Sequence, residues 1–175
     1  SKIRSTAMQV LEKRGMHLGD AGNVSWYFDV PRVGVEPDMV ALRREIEEHG
    51  LEVIAIDPAY LALLTGEFAK TNAGDVFGMG RVLMRLTNIG QETGCTIIIA
   101  HHFTKSAEHT RGSESSLPDL NDLSQSGFRE WARQWILLKR RERFVAGSGL
   151  HKLWFVAGGS EGHSWEFGID IHDQQ

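Results

Sequence analysis

Several residue types and patterns that mark particular protein classes are scarce or missing in this chain of 175 residues. The single cysteine, Cys95, excludes an internal disulfide and favours a reducing, cytoplasmic location. Only four prolines and 41% hydrophobic residues, with no low-complexity run, exclude a disordered or fibrous chain. No apolar run approaches the roughly 18 residues of a membrane span, and no signal-peptide pattern opens the chain. The sequence therefore predicts one cytoplasmic globular domain over residues 1–175, with no membrane contact.

The charge balance and two missing motifs exclude further classes. The chain has 19 Lys and Arg against 23 Asp and Glu, a net charge of −4, so it has no strongly basic character. It lacks G-x-x-x-x-G-K-[ST], the loop whose backbone amides cradle nucleotide phosphates, and it lacks the H-E-x-x-H zinc motif. These residues alone therefore do not supply a complete nucleotide site.

The centre of the chain has the pattern of a βαβ unit. Two isoleucine-rich runs, Leu51–Ile56 and Thr96–Ala100, are typical of parallel strands that are buried on both faces. Residues 75–92 between them repeat apolar side chains at helical spacing, and Gly94 follows as a helix stop. The same reasoning predicts further helices at residues 2–14, 37–49 and 127–132. It predicts one further strand at residues 24–28.

After residue 133 the pattern changes to alternating apolar and polar residues. It predicts three antiparallel strands over Gln134–Phe144, Lys152–Ala157 and Ser164–Ile171, which we expect to complete the same sheet. A long polar loop, residues 103–124, precedes them. The fold class predicted is α/β, with a mainly parallel sheet and antiparallel C-terminal strands.

Polar side chains follow both strands of the predicted βαβ unit. Asp57 comes directly after the first strand, and His101 and His102 follow the second. Ligands of open α/β sheets bind outside the carboxyl ends of the strands, so Asp57 is well placed to hold a metal ion or its bound water. Successive strand residues point to opposite faces, so one histidine is expected to face this site and the other to pack. The alternatives are that Asp57 caps a turn and that the histidines mark where the chain reaches the surface.

Four basic residues are further candidates. Lys105 and Arg111 lie in the polar loop, where they either contact a phosphate backbone or are solvated. Arg129 and Arg133 lie among tryptophans in FREWARQW. Such an arginine either reaches a transferring phosphate across a subunit interface or stacks on tryptophan in a structural role.

Taken together, LEVIAIDP, CTIIIAHHFTK and the segment that ends in WARQW resemble the second half of a RecA-like ATPase core. The strand ending in Asp and the strand ending in His-His with a nearby Lys resemble, more narrowly, the C-terminal part of the RepA-type hexameric replicative helicases, without their Walker A region. The tail HKLWFVAGGSEGHSWEFGIDI is similar to the closing strands of phage- and plasmid-associated ATPases of that group. The resemblance implies a RecA-like three-layer fold.

The resemblance also implies roles for the residues at the strand ends. Asp57 matches the Walker B aspartate, which helps to hold Mg²⁺ at the phosphates of ATP. His101 or His102 matches the position that registers the γ-phosphate and passes its loss to the next loop.

For the basic residues, the resemblance implies contacts outside the chain. Lys105, Arg111 and the loop of residues 103–118 match loops that contact DNA, which we expect to be single-stranded. Arg133, with Arg129 in reserve, matches the finger that reaches a neighbouring subunit in a homo-oligomeric ring. Because the phosphate-binding loop and catalytic glutamate of that family lie upstream of the first helix, we expect this chain to continue upstream and to be inactive alone.

Two other functions remain open at this point. One is a non-catalytic RecA-like module for DNA binding or assembly. The other is a small metallohydrolase built on Asp57, His101 and His102, with His109 as the nearest further ligand.

Overall fold

A computed structural model describes residues 2–104 and 116–172. The helices are α1 (Lys2–Lys13), α2 (Glu36–His49), α3 (Ala59–Leu63), α4 (Val76–Thr93) and α5 (Phe128–Trp131), and the strands are β1 (Val53–Ile56), β2 (Thr96–Ile99), β3 (Gln134–Arg140), β4 (Leu150–Gly159) and β5 (Ser164–His172). Short 3-10 turns lie at Leu18–Ala21, Gly66–Phe68 and Leu120–Asp122. Within the described ranges, no helix is both long enough and apolar enough to cross a membrane.

The predicted βαβ unit is confirmed. β1 and β2 pair in parallel, from Val53 opposite Thr96 to Ile56 opposite Ile99, and α4 connects them. Asp75 caps the start of α4 by accepting a hydrogen bond from the backbone N–H of Phe77. Gly94 ends the helix in the left-handed conformation, at φ 72°, which glycine adopts without steric cost.

The main hydrophobic core lies around α4. The apolar side of this helix is fully buried and packs with residues from α2, α3 and β1. The residues concerned on α4 are Met79, Val82, Leu83 and Leu86, and those on its neighbours are Ile46, Leu63 and Ile56. The backbone at Gly34 packs closely against the backbone at Thr65. A Cβ atom at position 34 would lie 1.8 Å from the carbonyl oxygen of Thr65, so only glycine fits there.

The expectation that both parallel strands are buried on two faces is wrong. Ile54, Ile56, Ile97 and Ile99 contribute to the core, whereas the alternate residues of each strand face away from it. Val53 is 55% exposed as a result. The reason is that the described part of the chain supplies core-forming elements on one side of this two-stranded sheet only.

The C-terminal strands form a second sheet and do not complete the first, which corrects the prediction of one continuous sheet. β3, β4 and β5 are antiparallel neighbours in that order, as their alternating pattern predicted. The end of β4 and the turn that follows it contain GGSEG at residues 158–162, which has G-x-S-x-G spacing. This turn joins two strands of a hairpin, whereas the nucleophile elbow of hydrolases joins a strand to a helix.

Residues 24–28 do not form the predicted strand. This apolar segment has no strand pairing, and Trp26 and Phe28 are more than half exposed. The hydroxyl of Tyr27 donates a hydrogen bond to Glu45 of α2 at 2.8 Å. The segment has the β-branched and aromatic composition of a strand, but no described strand lies beside it to complete a ladder.

Candidate functional site

Backbone hydrogen bonds bring the carboxyl ends of β1 and β2 to one edge of the parallel sheet. The N–H of Ala100 donates to the carbonyl of Ile56, and the N–H of Ala59 donates to the carbonyl of Ala100, both at 2.9 Å. Asp57 therefore lies between Ile56 and Ala59, which are both hydrogen-bonded to Ala100. His101 and His102 follow Ala100 directly in the chain. The two predicted segments lie side by side at the same edge.

The carboxylate of Asp57 is available to a ligand. The residue is exposed, and its side chain forms no hydrogen bond or ion pair with any other described residue. A turn-capping role would require its oxygens to accept backbone N–H groups, and no such bond is present among these residues. A solvated carboxylate at this edge is suited to hold a hard cation or one of its bound waters.

The ring of His101 is part of the packed structure. It stacks on Phe128 of α5 with a centroid distance of 4.4 Å. Its Nε2 lies 2.6 Å from the carbonyl oxygen of Ser124 and 2.9 Å from the Ser124 hydroxyl. Because a carbonyl oxygen only accepts, Nε2 carries the hydrogen of the neutral ring and donates it to Ser124. Nδ1 is then an acceptor, and it is buried without a partner among the described residues.

Burial lowers the pKa of the His101 imidazole below its ordinary value. The charge of a protonated His102 acts in the same direction, while the hydrogen bond to Ser124 partly opposes it. A ring that is stacked, desolvated and bonded at Nε2 remains neutral at physiological pH and has no free edge to offer to a phosphate.

His102 is the exposed member of the histidine pair. Its ring centroid lies 6.1 Å from that of Tyr60, and no hydrogen bond to its ring is present within the described part of the chain. Its backbone carbonyl accepts two hydrogen bonds from Ser124, one from the N–H and one from the hydroxyl, each at 3.0 Å. Ser124 thus holds both histidines, and sequence patterns alone did not reveal this role.

The side chains of the two candidate arginines do not bond to Asp57, His101 or His102. Arg129 donates a hydrogen bond to the side-chain oxygen of Asn121 at 2.7 Å. Arg133 is exposed, and its side chain forms no hydrogen bond or ion pair with another described residue. Neither arginine pairs with Asp57, and neither lies over a tryptophan ring in the described structure. Trp131, which lies between them, instead donates from Nε1 to Thr87 of α4 at 2.8 Å.

Lys105, Arg111 and His109 lie outside the described residues. The chain on either side of that segment borders a cavity of about 410 Å³, whose lining includes Thr104, Gln125 and Arg129. Gln125 is the one described residue other than glycine with a positive φ, 65°, and its Oε1 is buried without a partner among these residues. Sequence reasoning missed Gln125, and a glutamine carries no signal for such a backbone conformation.

Comparison with known proteins identifies the class of this chain. It is an ATPase-type module, because residues 6–108, more than half of its length, match a family of P-loop ATPases. The chain belongs to the AAA domain family. The matched segment includes β1, β2, Asp57 and both histidines, and domains of this type generally depend on nucleotide and Mg²⁺. No curated protein matches the chain.

Proposed function

We propose that residues 1–175 form a single domain, the Walker B and sensor half of a RecA-like ATPase core, within an ATP-dependent DNA helicase of the RepA type. The observation that carries the proposal is the carboxylate of Asp57, which has no partner among the described residues and lies beside the two histidines at the carboxyl edge of a parallel sheet. Membership of a P-loop ATPase family supports it. The full three-layer core and a cytoplasmic location are part of the same proposal.

In this function Asp57 would hold Mg²⁺, directly or through a bound water. The residue fits the ion, because it is a solvated oxygen donor with no competing cation among the described residues. When bound, Mg²⁺ neutralises charge on the phosphates of ATP. A single protein carboxylate is sufficient for this type of site, since Mg²⁺ keeps most of its waters and takes the rest of its ligands from phosphate oxygens.

The two histidines divide the sensor role. His102, exposed beside Asp57, contacts the γ-phosphate. His101 is a positioning residue that holds Ser124 and, through it, the segment of residues 120–128 against the sheet edge. Ser126 continues the connection, because its N–H donates to Ala73 and its hydroxyl donates to Gly74, just before α4.

The proposal assigns DNA contact to the loop of residues 103–118. Lys105 and Arg111 would bind the phosphates of single-stranded DNA. Arg133 has no side-chain partner within the described residues and would reach the nucleotide of a neighbouring subunit in a homo-oligomeric ring. Arg129 is the weaker candidate because Asn121 already binds it.

The isolated chain is not expected to hydrolyse ATP. It contains no G-x-x-x-x-G-K-[ST] loop. Among the described strands, β2 pairs only with β1 and β3 pairs only with β4, so one edge of each has no neighbouring strand. A complete core would therefore need further residues for both the phosphates and the sheet. Turnover of about one per second with ATP and Mg²⁺ would contradict this part of the proposal.

A paramagnetic NMR titration tests the metal role of Asp57. Substoichiometric Mn²⁺, used as the probe for Mg²⁺, is expected to broaden the amide signals of Asp57, Ala59 and Tyr60 and of residues 100–102. Asp57→Asn should abolish this broadening, because the amide is a much weaker cation ligand. Glu52→Gln is the matched control, since Glu52 is an exposed carboxylate at the opposite end of β1. Equal broadening in wild type and Asp57→Asn would overturn the assignment.

The alternatives make different predictions. A non-catalytic assembly module would show no Mn²⁺ effect at Asp57 and no salt-dependent affinity for single-stranded DNA. A metallohydrolase needs three protein ligands, and within the described residues no group of three or more His, Cys, Asp or Glu is arranged to hold a metal ion. His101 could offer a metal only its Nδ1 atom, and that atom is buried.

A further inference from the structure

The segment of residues 124–127, which we call the strap, is fixed to the histidine pair at its first residue. The N–H of Ser124 donates to the carbonyl of His102 at 3.0 Å, and the carbonyl of Ser124 accepts from Nε2 of His101 at 2.6 Å. The hydroxyl of Ser124 adds a contact to each histidine. The strap therefore starts at the carboxyl edge of the parallel sheet.

The second half of the strap is fixed to the start of α4. The N–H of Ser126 donates to the carbonyl of Ala73 at 2.8 Å, and its hydroxyl donates to the carbonyl of Gly74 at 3.0 Å. Gly127 follows at φ 88°, and a Cβ atom there would lie 3.2 Å from Cβ of Met79 on α4. Glycine meets both requirements, the left-handed conformation and the close approach. The strap thus connects the histidine pair to the first turn of α4.

Gln125 lies between the two fixed residues and is strained. Its φ is 65°, and it is the one residue other than glycine in the left-handed region among those that the structure describes. Glutamine has neither the short polar side chain of asparagine nor the missing Cβ of glycine, which make this region accessible. Its Oε1 is also buried, with no hydrogen-bond partner among the described residues. Such a conformation persists only where surrounding contacts enforce it, and here those contacts are the bonds of Ser124 and Ser126.

We propose that the strap is a conformational switch, in which the bonds between Ser124 and the histidine pair hold Gln125 in its strained conformation. Loss of those bonds lets the strap relax and releases its hold on the start of α4. A change at the sheet edge is thereby transmitted to the helix around which the core is built. The cavity of about 410 Å³, whose lining includes Gln125, Ser126 and Gly127, gives the relaxed strap room to move. The inference rests on these contacts alone and does not require that the histidines bind nucleotide.

Strain is what makes the strap sensitive to a change at one end. The hydrogen bonds of Ser124 and Ser126 favour the closed strap, whereas the left-handed backbone and the unpartnered buried oxygen of Gln125 oppose it. Because the two contributions are of similar size, the closed and relaxed states lie close in free energy, and a small change at the histidines shifts their populations. Without strain, the bonds of Ser126 would keep the strap closed whatever happened at the sheet edge.

Urea denaturation of two variants separates the strain from the side chain. Gln125→Gly and Gln125→Ala both remove the amide, but only glycine relieves the left-handed backbone. We expect an equilibrium constant of unfolding about fivefold lower for Gln125→Gly than for Gln125→Ala. His101→Phe keeps a ring against Phe128 and removes the bonds of Nε2 to Ser124. In that background the strap is free to relax, so the same two variants should differ by less than about twofold.

Amide hydrogen exchange measures the transmission to α4. His101→Phe should accelerate exchange of the Ser126 amide, which bonds to Ala73, at least about fivefold more than exchange of the Ile89 amide. Ile89 is the internal control, because it is buried in the middle of α4 and its amide exchanges when the whole fold opens.

Three results would overturn the proposal. Equal stability of Gln125→Gly and Gln125→Ala would show that the strap holds no strain. An equal difference between them with and without His101→Phe would show that the histidine does not maintain the strain. Equal acceleration of exchange at Ser126 and Ile89 would show that nothing is transmitted. If circular dichroism shows that His101→Phe does not fold, Ser124→Ala replaces it, since that variant removes the hydroxyl contacts to both histidines.

Discussion

The imidazole Nε2 of His101 lies 2.6 Å from the carbonyl oxygen of Ser124, 23 residues further along the chain. This bond joins the carboxyl edge of the parallel sheet to the segment that leads into α5. The hydroxyl of Ser124 adds contacts to His101 and to the carbonyl of His102. One serine therefore couples both members of the histidine pair to the loop that follows them.

Ser124→Ala is expected to lower the free energy of unfolding by about 1–2 kcal/mol. The substitution removes the hydroxyl bonds to His101 and His102 and keeps the backbone bonds of Ser124. Urea denaturation followed by circular dichroism measures the change. Ser25→Ala is the control, because Ser25 is exposed and has no partner among the described residues. Equal stability of the two variants would show that the Ser124 hydroxyl does not hold the histidine pair.

The stability of the protein should decrease as the pH falls below about 6.5, the ordinary pKa of histidine. Burial lowers the pKa of His101 in the folded state, so the unfolded chain binds more protons in this window and is favoured there. Denaturation curves between about pH 8 and pH 5 measure the slope, above the range where carboxylates titrate.

His101→Gln should remove most of that slope, because a glutamine does not titrate. His163→Gln serves as the comparison, since His163 is exposed in the turn between β4 and β5. A slope that persists in His101→Gln, or that disappears equally in His163→Gln, would assign the pH dependence to another group.

Two aspartates at the ends of neighbouring elements should differ sharply in their contribution to stability. Asp75→Ala removes the N-cap of α4, the helix around which the core is built, and is expected to cost about 1 kcal/mol of folding free energy. Asp57→Ala should change stability by less than about 0.5 kcal/mol, because this exposed carboxylate has no partner among the described residues.

The same denaturation measurement compares both aspartate variants with wild type. A large loss of stability in Asp57→Ala would mean that the carboxylate has a structural role, and the proposed ligand role would lose its main support. Loss of Mn²⁺ broadening with unchanged stability is the combination that the proposed function requires.

Local patterns predicted the elements whose signals lie within the element itself. The apolar stripe and the glycine stop of α4 operate as predicted, and the structure adds Asp75 as the cap of the helix. The alternation over β4 and β5 likewise predicted antiparallel strands. At residues 24–28 the same reasoning failed, because a strand needs a partner and composition does not show whether one lies beside it.

The candidate site shows the same division. The position of Asp57 after one apolar strand and of His101 and His102 after the next was enough to predict that they meet at one sheet edge, and β1 and β2 do pair in parallel with those ends together. Which histidine remains exposed could not be predicted, since Phe128 and Ser124, the residues that bury and bind His101, lie more than 20 residues away.

Sequence alone determined that this chain forms a βαβ unit with an acidic group and two imidazoles at its edge, because spacing and strand ends are local properties. Tertiary structure alone decided that the sheet is divided in two and that His101 is packed while His102 is exposed. Burial and strand pairing depend on contacts between distant segments, and the order of residues in one segment does not specify which other segment will cover it.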